Sequence, residues 1–156
     1  MTASLLLIVG WGLGADPFLI EPHPERGQAL AVRVDAGPLV HTGQILPYGP
    51  AIAPTPPQEQ VYQAFAQLQD TLKSVDARLS DVIKLNVYVA HPTVTGLVER
   101  ELATRYREPH QPAVSFVQTT LPEPSTMVAL DAVARTSRTS DAAVFHAKPS
   151  GKHLPS

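Results

Sequence analysis

The chain has 156 residues, enough for one domain with a buried core and short for two. Apolar residues make up 44% and charged residues 17%, a globular balance, and the net charge of −2 sets up no basic field to attract nucleic acid. The absence of cysteine excludes disulfides, thiolate metal sites and cysteine catalysis.

An apolar run, Leu5 to Val9, opens the sequence and is broken by Gly10, Gly12 and Gly14. It is too short to span a bilayer as a helix. Met1 to Ser4 carry no Lys or Arg, unlike the basic start of a secretory leader. The run is expected to be a strand, an extended lead-in or a start-site extension, with a cleaved leader as the alternative. Residues 14–28, with Pro17, Pro22 and Pro24, read as loop, so 1–28 is set apart as an extension. Ala29 to Val34 alternates, Asp35-Ala36-Gly37-Pro38 turns, and Leu39 to Ile45 resumes. Two short apolar runs about a Gly-containing turn predict a β-hairpin.

After a proline-rich connection, Thr55-Pro56-Pro57-Gln58 reads as a helix start, with Thr55 as N-cap and Gln58 completing a capping box. Val61, Phe65, Leu68, Leu72 and Val75 recur at helical spacing and predict one buried face. Asp81 to Ala90 predicts a strand with Ile83, Leu85, Val87 and Val89 on one face and Lys84, Asn86 and Tyr88 on the other. A second helix is expected over Val94 to Arg107, with Val98, Leu102 and Tyr106 inward and a Glu101–Arg105 pair. Pro109 and Pro112 end it. Strands are expected at Ala113 to Thr120 and Thr126 to Ala134; residues 136–156 read as a disordered tail. The order ββαβαββ implies an α+β fold, a mainly antiparallel sheet with two helices on one face. Its other, half-polar face invites packing on another subunit.

These segments resemble the RidA/YjgF family. Thr42-Gly43-Gln44 is similar to that family's "SGQ", Leu79 to Tyr88 to "LSDVVKTTVF", Gln111-Pro112-Ala113 followed by Leu121-Pro122 to "PAR…LP", and Leu130 to Ala134 to "IEAIA". The likeness runs in unbroken order over about residues 29–135. It implies a chorismate-mutase-like fold and a cytoplasmic homotrimer whose inter-subunit clefts bind small molecules. The implied activity is hydrolysis of reactive imines and enamines to ketoacids and ammonia, with no cofactor and no metal. Neither nucleic acid nor membrane is an expected partner.

The family's site residues carry over poorly. An arginine that grips the substrate carboxylate falls at Val114, the small or sulfur-bearing position at Phe116, the water-positioning glutamate at Ala129, an asparagine near Glu99 and a tyrosine near Ala29. Gly43 and Asp131 remain. Asp131, in an apolar strand beside Met127, Ala129 and Val133, is either a general base with a raised pKa or a paired acid at a subunit contact. Glu123, held between two prolines, either replaces the missing glutamate or is a solvated turn residue. On alternation, Val114, Phe116 and Gln118 share the face expected toward a cleft, where Gln118 would hydrogen-bond a ligand. Gly43 and Gln44 would line the pocket, Gly43 by allowing close approach. Arg26, Arg33 and Arg135 are candidate replacements for the lost cation, and His41 a further pocket candidate. The alternative to a divergent enzyme is a ligand-binding or protein-protecting trimer without catalysis.

Overall fold

The computed structural model describes residues 16–47 and 55–137. The apolar run at 5–9 and the tail beyond 137 lie outside the described residues. Strands β1 (Phe18–His23), β2 (Gln28–Arg33), β3 (Leu39–His41), β4 (Val82–Val89), β5 (Ala113–Gln118) and β6 (Val128–Arg135) form one sheet of order β1-β2-β5-β4-β6-β3. Helices α1 (Pro57–Lys73) and α2 (Thr95–Arg105) complete an α+β fold. β5 runs parallel to both β2 and β4, whereas β1–β2, β4–β6 and β3–β6 are antiparallel.

The N-terminal part departs from the sequence expectation twice. Within the segment read as loop, Phe18–His23 is a strand paired with β2. The connection between them closes at Gly27, whose φ of +63° needs no Cβ; one placed there would lie 2.3 Å from the Leu102 carbonyl oxygen of α2. The hairpin expected from 29–34 and 39–45 does not form. Gly37 lacks the positive φ of a tight hairpin turn, and β3 crosses to the far edge, pairing Leu39 with Arg135 and His41 with Val133. Alternation marks a strand without naming its partner, and the apolar β6 supplied a better one. Past His41, Ile45 rejoins the sheet as a bridge to Leu130.

Helix α1 starts where the prolines place it, but Thr55 and Gln58 do not cap it: Pro56 is the N-cap and no side-chain cap bond forms. Gln60 does a related job from inside the first turn. Its buried amide donates to the Thr55 and Ser125 carbonyls and accepts from the Met127 N–H. One side chain therefore ties the start of α1 to the approach to β6. Val61, Phe65, Leu68 and Leu72 are buried as the spacing predicts. In α2, Val98 and Leu102 are buried, followed by Tyr106, and Glu101 accepts from the Arg105 guanidinium. That guanidinium also stands 5.4 Å from the ring centres of Tyr62 and Phe65, clamping α2 onto α1.

Both helices cover one face of the sheet. Their apolar stripes meet Leu85, Val87, Val89, Val128, Leu130, Ala132 and Ala134 in a single core. Each large aliphatic side chain so buried contributes about 1.5–3 kcal/mol. In β4 the expected alternation is interrupted: Val82 pairs with Ala134 and Lys84 with Val133, so Ile83 is an extra residue. The bulge sends Val82 inward and leaves Ile83 half-exposed. Beyond β6, Thr136 is still part of the body, its hydroxyl donating to the Val75 carbonyl and its N–H to that of Pro38.

Candidate functional site

Past the bulge, alternation in β4 puts Leu85, Val87 and Val89 under the helices and Lys84, Asn86 and Tyr88 on the uncovered face. The antiparallel register sets Asp131 opposite Asn86 and Ala129 opposite Tyr88. The Asp131 carboxylate accepts from Asn86 Nδ2 at 2.7 Å and from the Tyr88 hydroxyl at 2.6 Å, one on each oxygen. The Tyr88 hydroxyl is held above its ordinary pKa of 10.0, first by this hydrogen bond to a carboxylate, then by burial and by the Asp131 charge. Asp131 is thus a paired acid within the chain itself. Met127, expected beside it, packs against the core instead.

On the other flank of β4 the pairing is parallel, with Leu85 beside Val114, Asn86 beside Ser115 and Val87 beside Phe116. Val114 and Phe116 therefore lie on the helix-covered side and pack against the core, while Ser115 joins the polar face. The Lys84 ammonium donates to the Ser115 hydroxyl. Burial pulls the Lys84 amine below the ordinary lysine value, and the Asp131 charge opposes that shift. A row of Ser115, Lys84, Asn86, Tyr88 and Asp131 thus spans three adjacent strands.

The other expected residues fall into separate places. Thr42 donates its N–H to the Ala132 carbonyl and accepts the Ala132 N–H on its hydroxyl, and Ile45 exchanges backbone bonds with Leu130. Gly43 and Gln44, between them, thus run beside β6 near Asp131. Among the described residues nothing lies within 4 Å of a Cβ placed at Gly43. Gln118 and Glu123 meet at the rim of a depression of about 440 Å³, with Ala90, Thr119, Thr120 and Thr126. Glu99 sits on α2, in the helix layer, 4.0 Å from Arg26. Arg33 stands 5.0 Å from the Phe18 ring centre. Neither arginine approaches the polar row in these contacts. His41 is exposed on the β3 edge.

Sequence reasoning saw Lys84, Asn86 and Tyr88 as one face but missed what they hold. Ser115 and Asp131 are distant in sequence, and only strand register makes them neighbours. Among the described residues no group of three His, Asp or Glu side chains could hold a metal ion, and no helix is long and apolar enough to cross a membrane.

A protein-family model described as Endoribonuclease L-PSP matches residues 25–136. No curated protein matches the chain. Among solved structures, a Rid-family protein of unknown function from Yersinia pestis is 21% identical, with a TM-score of 0.67, covering 78% of this chain and 99% of its own. A YjgF/YER057c/UK114-family member from Mycobacterium tuberculosis is 23% identical at a TM-score of 0.55, covering 77% and 99%. A putative endoribonuclease from Thermotoga maritima is 22% identical at 0.55, covering 76% and 98%. At these identities the structures speak for the fold, while the match of the family model spans most of the sequence and every strand from β2 to β6. The chain belongs to the RidA/YjgF family, with its chorismate-mutase-like fold.

Proposed function

We propose that this protein is a divergent Rid-family hydrolase, acting on a small imine or enamine in clefts completed between subunits of a cytoplasmic homotrimer. The observation that carries the reading is the division of the expected site. Gly43, Gln44, Ala129 and Asp131 gather at β3 and β6, while Gln118 and Glu123 stand at the depression beyond the end of β5, with β4 between the two strands. A pocket drawing on both groups needs a second copy to bring them together. The uncovered sheet face supports that assembly: a half-buried polar row beside apolar Val117 is a surface suited to a like partner. Water addition to an imine carbon needs a group to manage protons. Glu123, exposed at the depression beside Gln118, is the freest carboxylate of the expected set for that work.

A non-catalytic, ligand-binding trimer is the second reading, and one observation favours it. Both Asp131 oxygens already accept hydrogen bonds within the chain, from Asn86 and Tyr88, so the family's remaining acid is engaged in the sheet. The deciding experiment generates 2-imino acids with an amino-acid oxidase in the presence of semicarbazide. Reduced semicarbazone formation supports the hydrolase. No change, with the protein folded and trimeric, rejects it in favour of the binding reading.

A further inference from the structure

We propose that the depression beyond the ends of β4 and β5 is a subsite for a small primary ammonium or iminium group, recognised by the charge on its nitrogen and without a carboxylate. The inference rests on the hydrolase reading for the chemistry of the ligand and deepens it by naming which imines fit, those of simple amines. It begins with strand direction. β4 and β5 run parallel, so their C-terminal ends come together, and there the Thr119 N–H donates to the Val89 carbonyl. The turn that follows supplies the other side of a dish of about 440 Å³. The dish stands at the rim of the sheet rather than on its uncovered face. Gln118, its member from β5, alternates with Val114 and Phe116 on the side opposite to Ser115.

The lining selects the ligand. Glu123 offers a carboxylate, Gln118 a carboxamide, and Thr119, Thr120 and Thr126 hydroxyls, while no Lys, Arg or His lines the dish. Among the described residues the Glu123 carboxylate, the Gln118 carboxamide and the Thr120 and Thr126 hydroxyls take part in no hydrogen bond or ion pair. One negative charge ringed by neutral oxygens favours a cation that donates, and an ammonium has three N–H bonds to give. A carboxylate arriving here meets only like charge. The acceptor is also held in place. Pro122 and Pro124 stiffen the backbone on either side of Glu123, and its carbonyl accepts from the Thr126 N–H at 2.9 Å. The buried Gln60 amide bonds Ser125 and Met127, fastening the far end of the turn to α1. A fixed acceptor loses little freedom when a ligand arrives. The remaining expected cleft residues point the same way. Val114 packs on the core in the place of an arginine, and Asp131 adds a second acid, not a cation.

The test is NMR titration of the full-length protein with n-butylammonium, butanoate and 1-butanol, which share a chain length and differ in the head group. Butylammonium is expected to bind, with the largest amide shifts over residues 118–126, and the other two are not. Glu123→Gln should weaken binding by about 3- to 10-fold, and Gln118→Ala by about 2- to 3-fold. Affinity should also fall as salt rises from about 0.01 M to about 1 M, where the screening length drops from about 30 Å to about 3 Å. Glu123 is exposed, so its replacement leaves the fold intact, and an unchanged spectrum away from the dish verifies that. The subsite is overturned if butylammonium does not bind, if butanoate or butanol binds as well, or if Glu123→Gln leaves affinity unchanged. The semicarbazide assay separates the two proposals once it includes the imine that a flavin amine oxidase makes from butylamine. That imine is expected to be hydrolysed at least as fast as 2-imino acids. Hydrolysis of 2-imino acids alone sinks the subsite and keeps the hydrolase. Butylammonium binding that Glu123→Gln weakens, with neither imine hydrolysed, does the reverse.

Discussion

Tyr106→Phe should make this protein more stable. The Tyr106 side chain is 1% exposed, and its hydroxyl finds no hydrogen-bond partner among the described residues. Withdrawing such a group from water uncompensated costs about 1–3 kcal/mol. Phenylalanine keeps the ring and its packing beside Val98 and Leu102, and gives up only the oxygen. After allowing for the small void it leaves, the net gain is about 1–2 kcal/mol, or a melting point higher by roughly 3–6 °C. The alkaline limb offers a second reading of the same group. Burial raises the Tyr106 pKa, with the Arg105 charge opposing. Above pH of about 10 the unfolded chain releases this proton while the folded chain keeps it, so stability falls as pH rises, by up to about 1.4 kcal/mol per unit. Tyr106→Phe removes that slope. Tyr88 and Lys84, whose pKa values also move, are common to both proteins and cancel in the difference. Urea unfolding of both proteins at pH 7 and above pH 10 decides it. A variant less stable by about 1 kcal/mol at pH 7 would show that a bound water or a partner subunit satisfies the hydroxyl, and an unchanged alkaline slope would show that burial does not hold the proton on the folded chain.

Other substitutions test other parts of the fold. Gln60→Ala removes three hydrogen bonds and strands two carbonyls and an N–H, and should cost about 2–4 kcal/mol in denaturant unfolding. Gly27→Ala combines a left-handed φ with a 2.3 Å clash against the Leu102 carbonyl; a loss of about 2 kcal/mol or more is expected, and a neutral outcome would mean that α2 yields. Asp131→Asn removes the charge that raises the Tyr88 pKa, so ultraviolet titration of tyrosine should show one group ionising at lower pH than in the unchanged protein.

The helices, the core face and five of the six strands could be read from the sequence because each is a local pattern. Val61, Phe65, Leu68 and Leu72 declare a helix whatever surrounds them. β1 was hidden because Pro22 and Pro24 look like breakers, yet proline is tolerated where, as here, the strand forms the sheet edge. The misread hairpin has the same root: adjacency in sequence suggested a partner that only the assembled sheet decides. The Ile83 bulge then shifted one residue of an otherwise correct alternation. The site was less legible still. Asp131 stood out as an acid in an apolar strand, but its pairing with Asn86 and Tyr88, and that of Lys84 with Ser115, depends on register across three strands. Val114 and Phe116 were rightly seen to share a face, though their side of the sheet follows from the parallel alignment with Leu85 and Val87.

The crossing of β3 to the far edge has a kinetic consequence. Its hydrogen-bonding partner is β6, so Leu39 must wait for Arg135. During synthesis, at 5–20 residues per second, that interval is on the order of five to twenty seconds. Until then β6 is missing from between β3 and β4, and the strand edge of β4 stands open. The β1–β2 hairpin can close early, but the sheet as a whole is sealed last at its C-terminal strand. Its folding should be slow for its size, in keeping with the non-local contacts that dominate it. A nascent chain released before β6 emerges carries a bare sheet edge, which is where self-association of an incomplete product would begin.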